Sequence, residues 1–310
     1  CDGHRLSFCR NGPHNDPICY ISLIELSNMK STLLRSGRIL ALTLILCTFM
    51  QAAAKENKAE GNEEKSTPLA KILDGLRFRS IGPALTSGRI GDLAVDPRDP
   101  ARYFVAVASG GVWLTENAGT TFEPVFDKQG VYSIGCVTID PNNPHTVWVG
   151  TGENNSQRSV GWGDGVYLSR DGGRTWENKG LKRSEHIAKI IVEPGNPEKI
   201  WVASQGPLWG PGGDRGVFRS SDGGNTWENV LYISENTGVT DLVMDPRDPR
   251  VLYAASYQRR RHVWTLINGG PESGIYKTTD GGSTWRKLEQ GLPKEDLGRI
   301  GLAISPTQPD

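Results

Sequence analysis

The octapeptides SRDGGRTW (169–176), SSDGGNTW (220–227) and TTDGGSTW (278–285) share one pattern, in which Ser or Thr is followed by x-Asp-Gly-Gly-x-Thr-Trp. A fourth copy, TENAGTTF (115–122), keeps the length but lacks the aspartate and the tryptophan. The Gly-Gly pair predicts a tight turn with positive φ, and the Thr-Trp pair predicts the start of a strand. Repetition at intervals of roughly 50 residues is typical of a repeat architecture.

A second repeat precedes each octapeptide and consists of an alternating apolar strand that ends in a proline turn. Its five copies are LAVDPRDP (93–100), VTIDPNNP (137–144), IIVEPGNP (190–197), LVMDPRDP (242–249) and LAISPTQP (302–309). Two short strands separate the proline turn from the octapeptide, and another follows it, which makes the four-stranded unit of a β-propeller blade. We therefore predict an all-β fold: a β-propeller of four-stranded antiparallel blades, here a partial propeller with four blades plus the first strand of a fifth.

Composition agrees with a turn-rich globular chain and excludes several functions. Of 310 residues, 38 are glycine, about 12% against a usual ~7%. The 35 basic and 35 acidic side chains balance, which argues against a nucleic-acid binder, because such proteins carry a cationic excess. The chain contains neither a P-loop nor a nucleophile elbow, and its histidines lack metal-ligand spacing, so we expect no cofactor and no metal site.

The segment that begins at Met29 has the anatomy of a secretory signal peptide. A basic stretch ending at Arg38 precedes an apolar run over 39–50 and a small-residue site that ends at Ala54, as cleavable export signals do. This pattern predicts a secreted or periplasmic protein without a membrane span after cleavage. The expected organisation is a non-native upstream extension (1–28), the signal peptide (29–54), a flexible linker (55–75) and the propeller (76–310).

The octapeptide is the Asp box, also called the bacterial neuraminidase repeat. From about residue 76 the chain resembles the sortilin-like Asp-box propellers of exported bacterial proteins, on the phrases FRSIGPALTSGRIGDLAVDP (78–97), SGGVW (109–113) and YQRRR (257–261). The resemblance implies that these blades are the N-terminal part of a larger ring. Because every box repeats the same residues, we expect them to be structural rather than catalytic: Asp171, Trp176, Asp222, Trp227, Asp280 and Trp285.

The two faces of the propeller carry different connections. If the strands of a blade are called A to D in chain order, the A–B and C–D turns lie on the Asp-box face, and the B–C connections lie on the opposite B–C face. Three B–C connections are long, at 152–165, 205–216 and 257–274, and loops on a rigid scaffold are where binding residues usually lie. The candidate ligand-binding residues are Arg158, Trp162, Trp209, Arg215, Arg259, Arg260, Arg261 and Trp264.

Aromatic rings next to basic side chains suit sugar stacking or a peptide with a charged end. We therefore expect an exported module that binds a peptide, a protein or a polysaccharide through this face. The alternative for the loops themselves is that they pack on one another for stability. A further possibility is an assembly-factor propeller that holds its partner through Arg259–Arg261.

The resemblance also implies an enzymatic alternative, because Asp-box propellers include sialidases and xyloglucanases. A xyloglucanase-like glycoside hydrolase acting on extracellular glycans would need two carboxylates, for which Asp164 and Asp214 are the candidates. A sialidase-like hydrolase would instead need a tyrosine nucleophile with three convergent arginines, for which Arg158, Arg215 and Arg260 are available. Xyloglucanases are similar in carrying an aspartate before a Gly-Gly pair at the end of an early second strand. The matching position here is Ser109, which puts that activity in doubt.

Overall fold

The structure, a computed structural model, describes residues 88–155 and 160–308. This part of the chain contains strands and turns and no helix. The extension, signal peptide and linker predicted over 1–75 lie outside the described residues, as does Arg158.

Within residues 88–155 and 160–308, seventeen strands form four antiparallel sheets. Blade 1 contains β1 (Ile90–Asp96), β2 (Asp99–Val107), β3 (Gly111–Thr115) and β4 (Glu123–Pro124). Blade 2 contains β5 (Ile134–Asp140), β6 (Asn143–Thr151), β7 (Val166–Ser169) and β8 (Glu177–Asn178). Blade 3 contains β9 (Ile187–Glu193), β10 (Asn196–Ser204), β11 (Gly216–Ser220) and β12 (Glu228–Leu231). Blade 4 contains β13 (Thr237–Met244), β14 (Leu252–Arg261), β15 (Leu266–Asn268), β16 (Gly274–Thr278) and β17 (Arg286–Leu288).

The order of the strands confirms the predicted β-propeller blades. In blades 1 to 3 each strand pairs with the next one in the chain, and blade 4 differs only by β15, which pairs with the end of β14. The first strands are neighbours, since β1 contacts β5, β5 contacts β9 and β9 contacts β13. They therefore form the inner wall of the arc of blades.

The fifth copy of the proline-turn repeat forms no strand within the described residues. Its position nevertheless follows the blade pattern, because the Leu302 amide donates a hydrogen bond of 2.8 Å to Asp241. The Val137 amide of blade 2 donates to Asp92 of blade 1 in the same way, at 3.2 Å. A strand requires a ladder with a second strand, and among the described residues none pairs with 302–305.

Apolar side chains from adjacent blades form the cores between them. Phe104 and Phe126 of blade 1 pack with Ile134 and Val149 of blade 2, and Trp148 of blade 2 packs against blade 3. A third cluster joins blades 3 and 4. The β-branched and aromatic residues that alternate along the strands supply these contacts, as expected for pleated, buried sheets.

The Asp box of blade 2 shows how the repeat closes its turn. Asp171 accepts hydrogen bonds from the Thr175 amide (2.9 Å) and the Thr175 hydroxyl (2.6 Å), and Ser169 donates to it at 2.8 Å. Gly173 has a φ of 94°, which favours glycine. Trp176 then packs against blade 1 and donates its Nε1 hydrogen to the carbonyl of Val125 at 2.8 Å. The boxes of blades 2, 3 and 4 thus close a hairpin, and the tryptophan of each ties its blade to the blade before it.

The Asp boxes are expected to make the fold sensitive to acid. Hydrogen bonds from the side chain and the backbone of Thr175 lower the pKa of Asp171 to about 2, and Thr226 lowers that of Asp222 to about 2. A depressed carboxyl pKa adds stability that is complete above pH ~4 and disappears as the pH falls toward 2.

The urea concentration at the midpoint of unfolding should therefore decrease when the pH is lowered from 5 to 2.5. In Asp222→Asn the midpoint should be lower at pH 5 and should fall less on acidification. An equally steep fall in this variant would contradict the assignment.

Candidate functional site

An ion pair anchors the B–C face at the inner edge of blades 1 and 2. Glu153 is only 2% exposed, and its Oε1 accepts a hydrogen bond of 2.7 Å from Nε of Arg89. The other carboxylate oxygen, Oε2, accepts from the Gly161 amide at 3.1 Å. This acid is therefore fully occupied within the fold. Sequence reasoning missed Arg89, because it precedes β1 rather than lying in a B–C connection.

Asn154 links blades 2 and 3 to the segment that follows blade 4. Its Nδ2 donates to the carbonyls of Gly135 and Ala188, both at 3.1 Å. Its Oδ1 accepts from Arg299 at 3.3 Å, and its own carbonyl accepts from Gln205 at 2.9 Å. A usable signal existed in the sequence, since Gly-Arg-Ile-Gly occurs at both 88–91 and 298–301 and places Arg89 and Arg299 at equivalent inner positions.

Arg215 is enclosed by its own loop. It is 1% exposed, and its guanidinium donates to the carbonyls of Gln205 (2.5 Å), Gly210 (2.9 Å), Gly212 (2.8 Å) and Pro207. Burial, and to a lesser degree the charge of Arg260, lowers the pKa of Arg215 to about 10. In this position the side chain orders the 205–216 connection, and a ligand on the surface would meet the loop rather than the guanidinium.

The three consecutive arginines have separate environments. Arg259 is 4% exposed and donates to the Asn155 carbonyl (2.9 Å) and to Gln205 (3.3 Å), so it joins blade 4 to blades 2 and 3. Arg260 donates to Asn236 at 3.1 Å. The guanidinium carbon of Arg261 lies 5.7 Å from the centre of the Trp209 ring. The run is not a free basic patch, because β14 points alternate side chains in opposite directions.

The connection at 257–274 is a hairpin rather than an irregular loop. β15 pairs with Arg259–Arg261, and the His262 amide donates to the Thr265 carbonyl at 2.8 Å to close the tip. The apolar Leu266 and Ile267 have the strand propensity that suits this short partner of β14. The hairpin raises Trp264 above the sheet, where the indole is 82% exposed and stacks on the His262 ring at 5.4 Å.

Exposed aromatic rings and a polar groove occur together on blades 3 and 4. Trp209 is 56% exposed and is backed by Arg261. A groove of about 270 Å³ is lined by residues of the blade 3 loop, the following connection and the hairpin, among them Pro211, Glu235, Arg260 and His262. Trp162 on blade 2 is also exposed. An exposed indole fixed by a neighbouring side chain is a flat apolar surface suited to stacking.

The two candidate acids are each held by local contacts. Oδ2 of Asp164 accepts a hydrogen bond of 2.9 Å from the Tyr167 hydroxyl, and its Oδ1 is buried without a hydrogen-bond partner among the described residues. Asp214 accepts from the Arg183 amide at 3.0 Å. Ser109, where xyloglucanases resembling this chain would carry an aspartate, lies in the short turn between β2 and β3.

The chain is similar to three kinds of known protein: sortilins, xyloglucanases and a photosystem assembly factor. The family model Sortilin-Vps10, described as sortilin or neurotensin receptor 3, matches residues 164–298. A xyloglucanase of Acetivibrio thermocellus is 26% identical over 247 residues, which are 69% of this chain and 27% of the relative. A photosystem II stability/assembly factor of Cyanidioschyzon merolae is 25% identical over 204 residues, 59% of this chain and 40% of the relative.

A crystal structure of an ancestral GH74 enzyme shares the fold. It superposes with a TM-score of 0.53 at 18% identity, covering 74% of this chain and 29% of the enzyme. The chain thus spans little more than a quarter of the length of the xyloglucanase it matches. Residues 88–155 and 160–308 include no helix long and apolar enough to cross a membrane. The match of residues 164–298 to the sortilin model and the four Asp-box blades confirm the resemblance of this chain to sortilin-like Asp-box β-propellers.

Proposed function

We propose that this protein is an exported module that binds a polysaccharide on the B–C face of blades 3 and 4. The observation that carries the proposal is the pair of exposed tryptophans, Trp209 and Trp264, on the two B–C connections that also supply residues to a polar groove. Sugar rings present apolar C–H faces that stack on indoles, while hydroxyl groups bind charged and amide side chains in a groove. Similarity to xyloglucanases supports a glycan as the ligand class.

The rigidity of the face also supports binding. Each indole is backed by a partner, Trp209 by Arg261 and Trp264 by His262. The loop that carries Trp209 is held by the buried Arg215. Residues held in one geometry before binding lose less conformational entropy when the ligand arrives.

Replacing the tryptophans tests the proposal. Trp209→Ala or Trp264→Ala is expected to weaken binding of a xyloglucan oligosaccharide about fivefold, because one stacking contact is worth roughly 1 kcal/mol. Isothermal titration calorimetry measures the change. Phe122→Ala, which removes an exposed ring from the Asp-box face, is the control and should bind normally.

Equal losses in Phe122→Ala and in the tryptophan variants would contradict the assignment of the site. If the protein bound an acidic peptide and no glycan, the ligand of this face would be a peptide rather than a polysaccharide.

A glycoside hydrolase is the second candidate. Two observations favour it: the similarity to xyloglucanases, and the buried Oδ1 of Asp164, which accepts no hydrogen bond from the described residues. Against it, Asp164 and Asp214 already accept hydrogen bonds from Tyr167 and Arg183. Release of reducing ends by the full-length protein, lost in Asp164→Asn or Asp214→Asn, would establish hydrolysis. Binding without such release supports the binding module.

A further inference from the structure

A crevice of about 480 Å³ opens on the Asp-box face between blades 1 and 2. Blade 1 contributes Leu114, Glu123 and Val125 to its wall, and the Asp box of blade 2 contributes Asp171 and Arg174. The crevice lies on the face opposite the tryptophans, so the proposed glycan site does not account for it.

The corresponding interface between blades 2 and 3 is filled by a lysine. Nζ of Lys179 donates to Oδ1 of Asn225 in the next Asp box at 2.7 Å and lies 3.3 Å from the carboxylate of Glu177. The Lys179 side chain is only 6% exposed. Here a cation from one blade crosses to the Asp box of the next, next to a glutamate of its own blade.

The interface between blades 3 and 4 is filled by an arginine in the same manner. Arg219 donates to the Gly281 carbonyl (3.1 Å) and to Ser283 (3.3 Å) in the Asp box of blade 4. It also pairs with Glu228 at 2.8 Å. Glu177 and Glu228 are equivalent, because each directly follows the tryptophan of its Asp box.

Blade 1 keeps the glutamate but has no basic residue at either of the two positions that supply the cation in blades 2 and 3. Arg102, which also lines the crevice, is held by Asp96 and by the Pro144 carbonyl, both at 3.1 Å. Glu123 directly follows Phe122, the last residue of the altered box. Aligned with the other boxes, Val125 stands at the position of Lys179 and Leu114 at that of Arg219. Among residues 88–155 and 160–308 no basic side chain lies within 4.0 Å of Glu123 in an ion pair.

We propose that the crevice between blades 1 and 2 binds a lysine or arginine side chain of a protein partner. The partner's cation takes the place that Lys179 and Arg219 fill inside the two neighbouring interfaces, next to the carboxylate of Glu123. Glu116 and Asp127 line the same opening and add to its attraction for a cation. Arg102, Lys128 and Arg174 line the same opening, oppose a further cation and limit the affinity. Arg174 stands at the position of Asn225.

The internal repeats supply the test. A hexalysine peptide is titrated into the full chain, with the amide signals of the blade 2 Asp box followed by NMR, and its ε-acetylated form is the neutral comparison. Glu123→Gln should weaken hexalysine binding about threefold, in the range of an exposed ion pair. Arg174→Asn, which copies Asn225, should tighten it. Glu177→Gln removes the equivalent acid from an occupied interface and should leave it unchanged.

A second pair of variants fills the crevice from within. Val125→Lys copies Lys179, and Leu114→Arg copies Arg219. Either substitution should abolish binding of hexalysine while the protein stays folded. If Val125→Lys fails to fold, Leu114→Arg provides the test. The proposal would be overturned if the acetylated peptide bound as tightly as hexalysine. It would also be overturned if Glu123→Gln and one of the two crevice-filling variants both kept the wild-type affinity for hexalysine.

Discussion

Replacement of Arg215 by alanine should lower the free energy of unfolding by roughly 3 kcal/mol, because it leaves several buried carbonyl groups without a donor. Four carbonyls of the 205–216 connection accept hydrogen bonds from this one guanidinium. Loss of these hydrogen bonds also leaves the segment that carries Trp209 without its support. We therefore expect glycan binding to weaken in the same variant, although Arg215 itself is buried. Urea denaturation measures the change in stability.

Two further substitutions make this expectation specific. Arg215→Lys keeps the charge but offers a compact ammonium instead of a planar fork, so it should recover only part of the lost stability. Arg250→Ala removes an exposed arginine that pairs with Asp248 two residues away, and should change stability by less than about 0.5 kcal/mol. Wild-type stability of Arg215→Ala would contradict the structural role.

Mild acid should destabilise the protein through His186. Burial, and secondarily the positive charge of Arg259, lowers the pKa of His186 to about 3. The unfolded chain takes up a proton near pH 6.5 whereas the folded chain does not, so stability is complete above pH ~6.5 and falls as the pH decreases. The slope is at most about 1.4 kcal/mol per pH unit for one proton.

The window between pH 6.5 and pH 4.5 separates this effect from that of the Asp boxes, because the Asp boxes contribute only below pH ~4. Free energies of unfolding measured across the window should fall in the wild type and remain nearly level in His186→Gln. His262→Gln, at the tip of the hairpin, should keep the wild-type slope. A slope that His186→Gln leaves unchanged would contradict the assignment.

The blades were predictable from sequence because each carries its own local code. The proline turns and the Gly-Gly pairs set the hairpins, and alternating apolar residues such as those of LAVDP (93–97) set the strands. These signals act over a few residues, so they are readable without tertiary information. The fourth copy shows their robustness, since Asn117 replaces the aspartate and still accepts the Thr121 amide at 2.9 Å.

The inner contacts of the B–C face were not predictable in the same way. Arg89 meets Glu153, and Arg299 meets Asn154, across wide separations in the chain, which depend on how the blades are arranged. The loop composition suggested that Arg215 was available to ligands, but its glycine-rich connection folds back and supplies carbonyls to it. Long-range packing, rather than residue type, decides whether an arginine binds a ligand or orders a loop.

Hydrogen exchange in the presence of a xyloglucan oligosaccharide tests the central claim most directly. If the B–C face of blades 3 and 4 binds a glycan, amide protection should increase around Trp209 and at the hairpin tip near Trp264, with no change in the Asp boxes. The double variant Trp209→Ala/Trp264→Ala should show no added protection. Protection confined to the Asp-box face, or none at saturating oligosaccharide, would contradict the account.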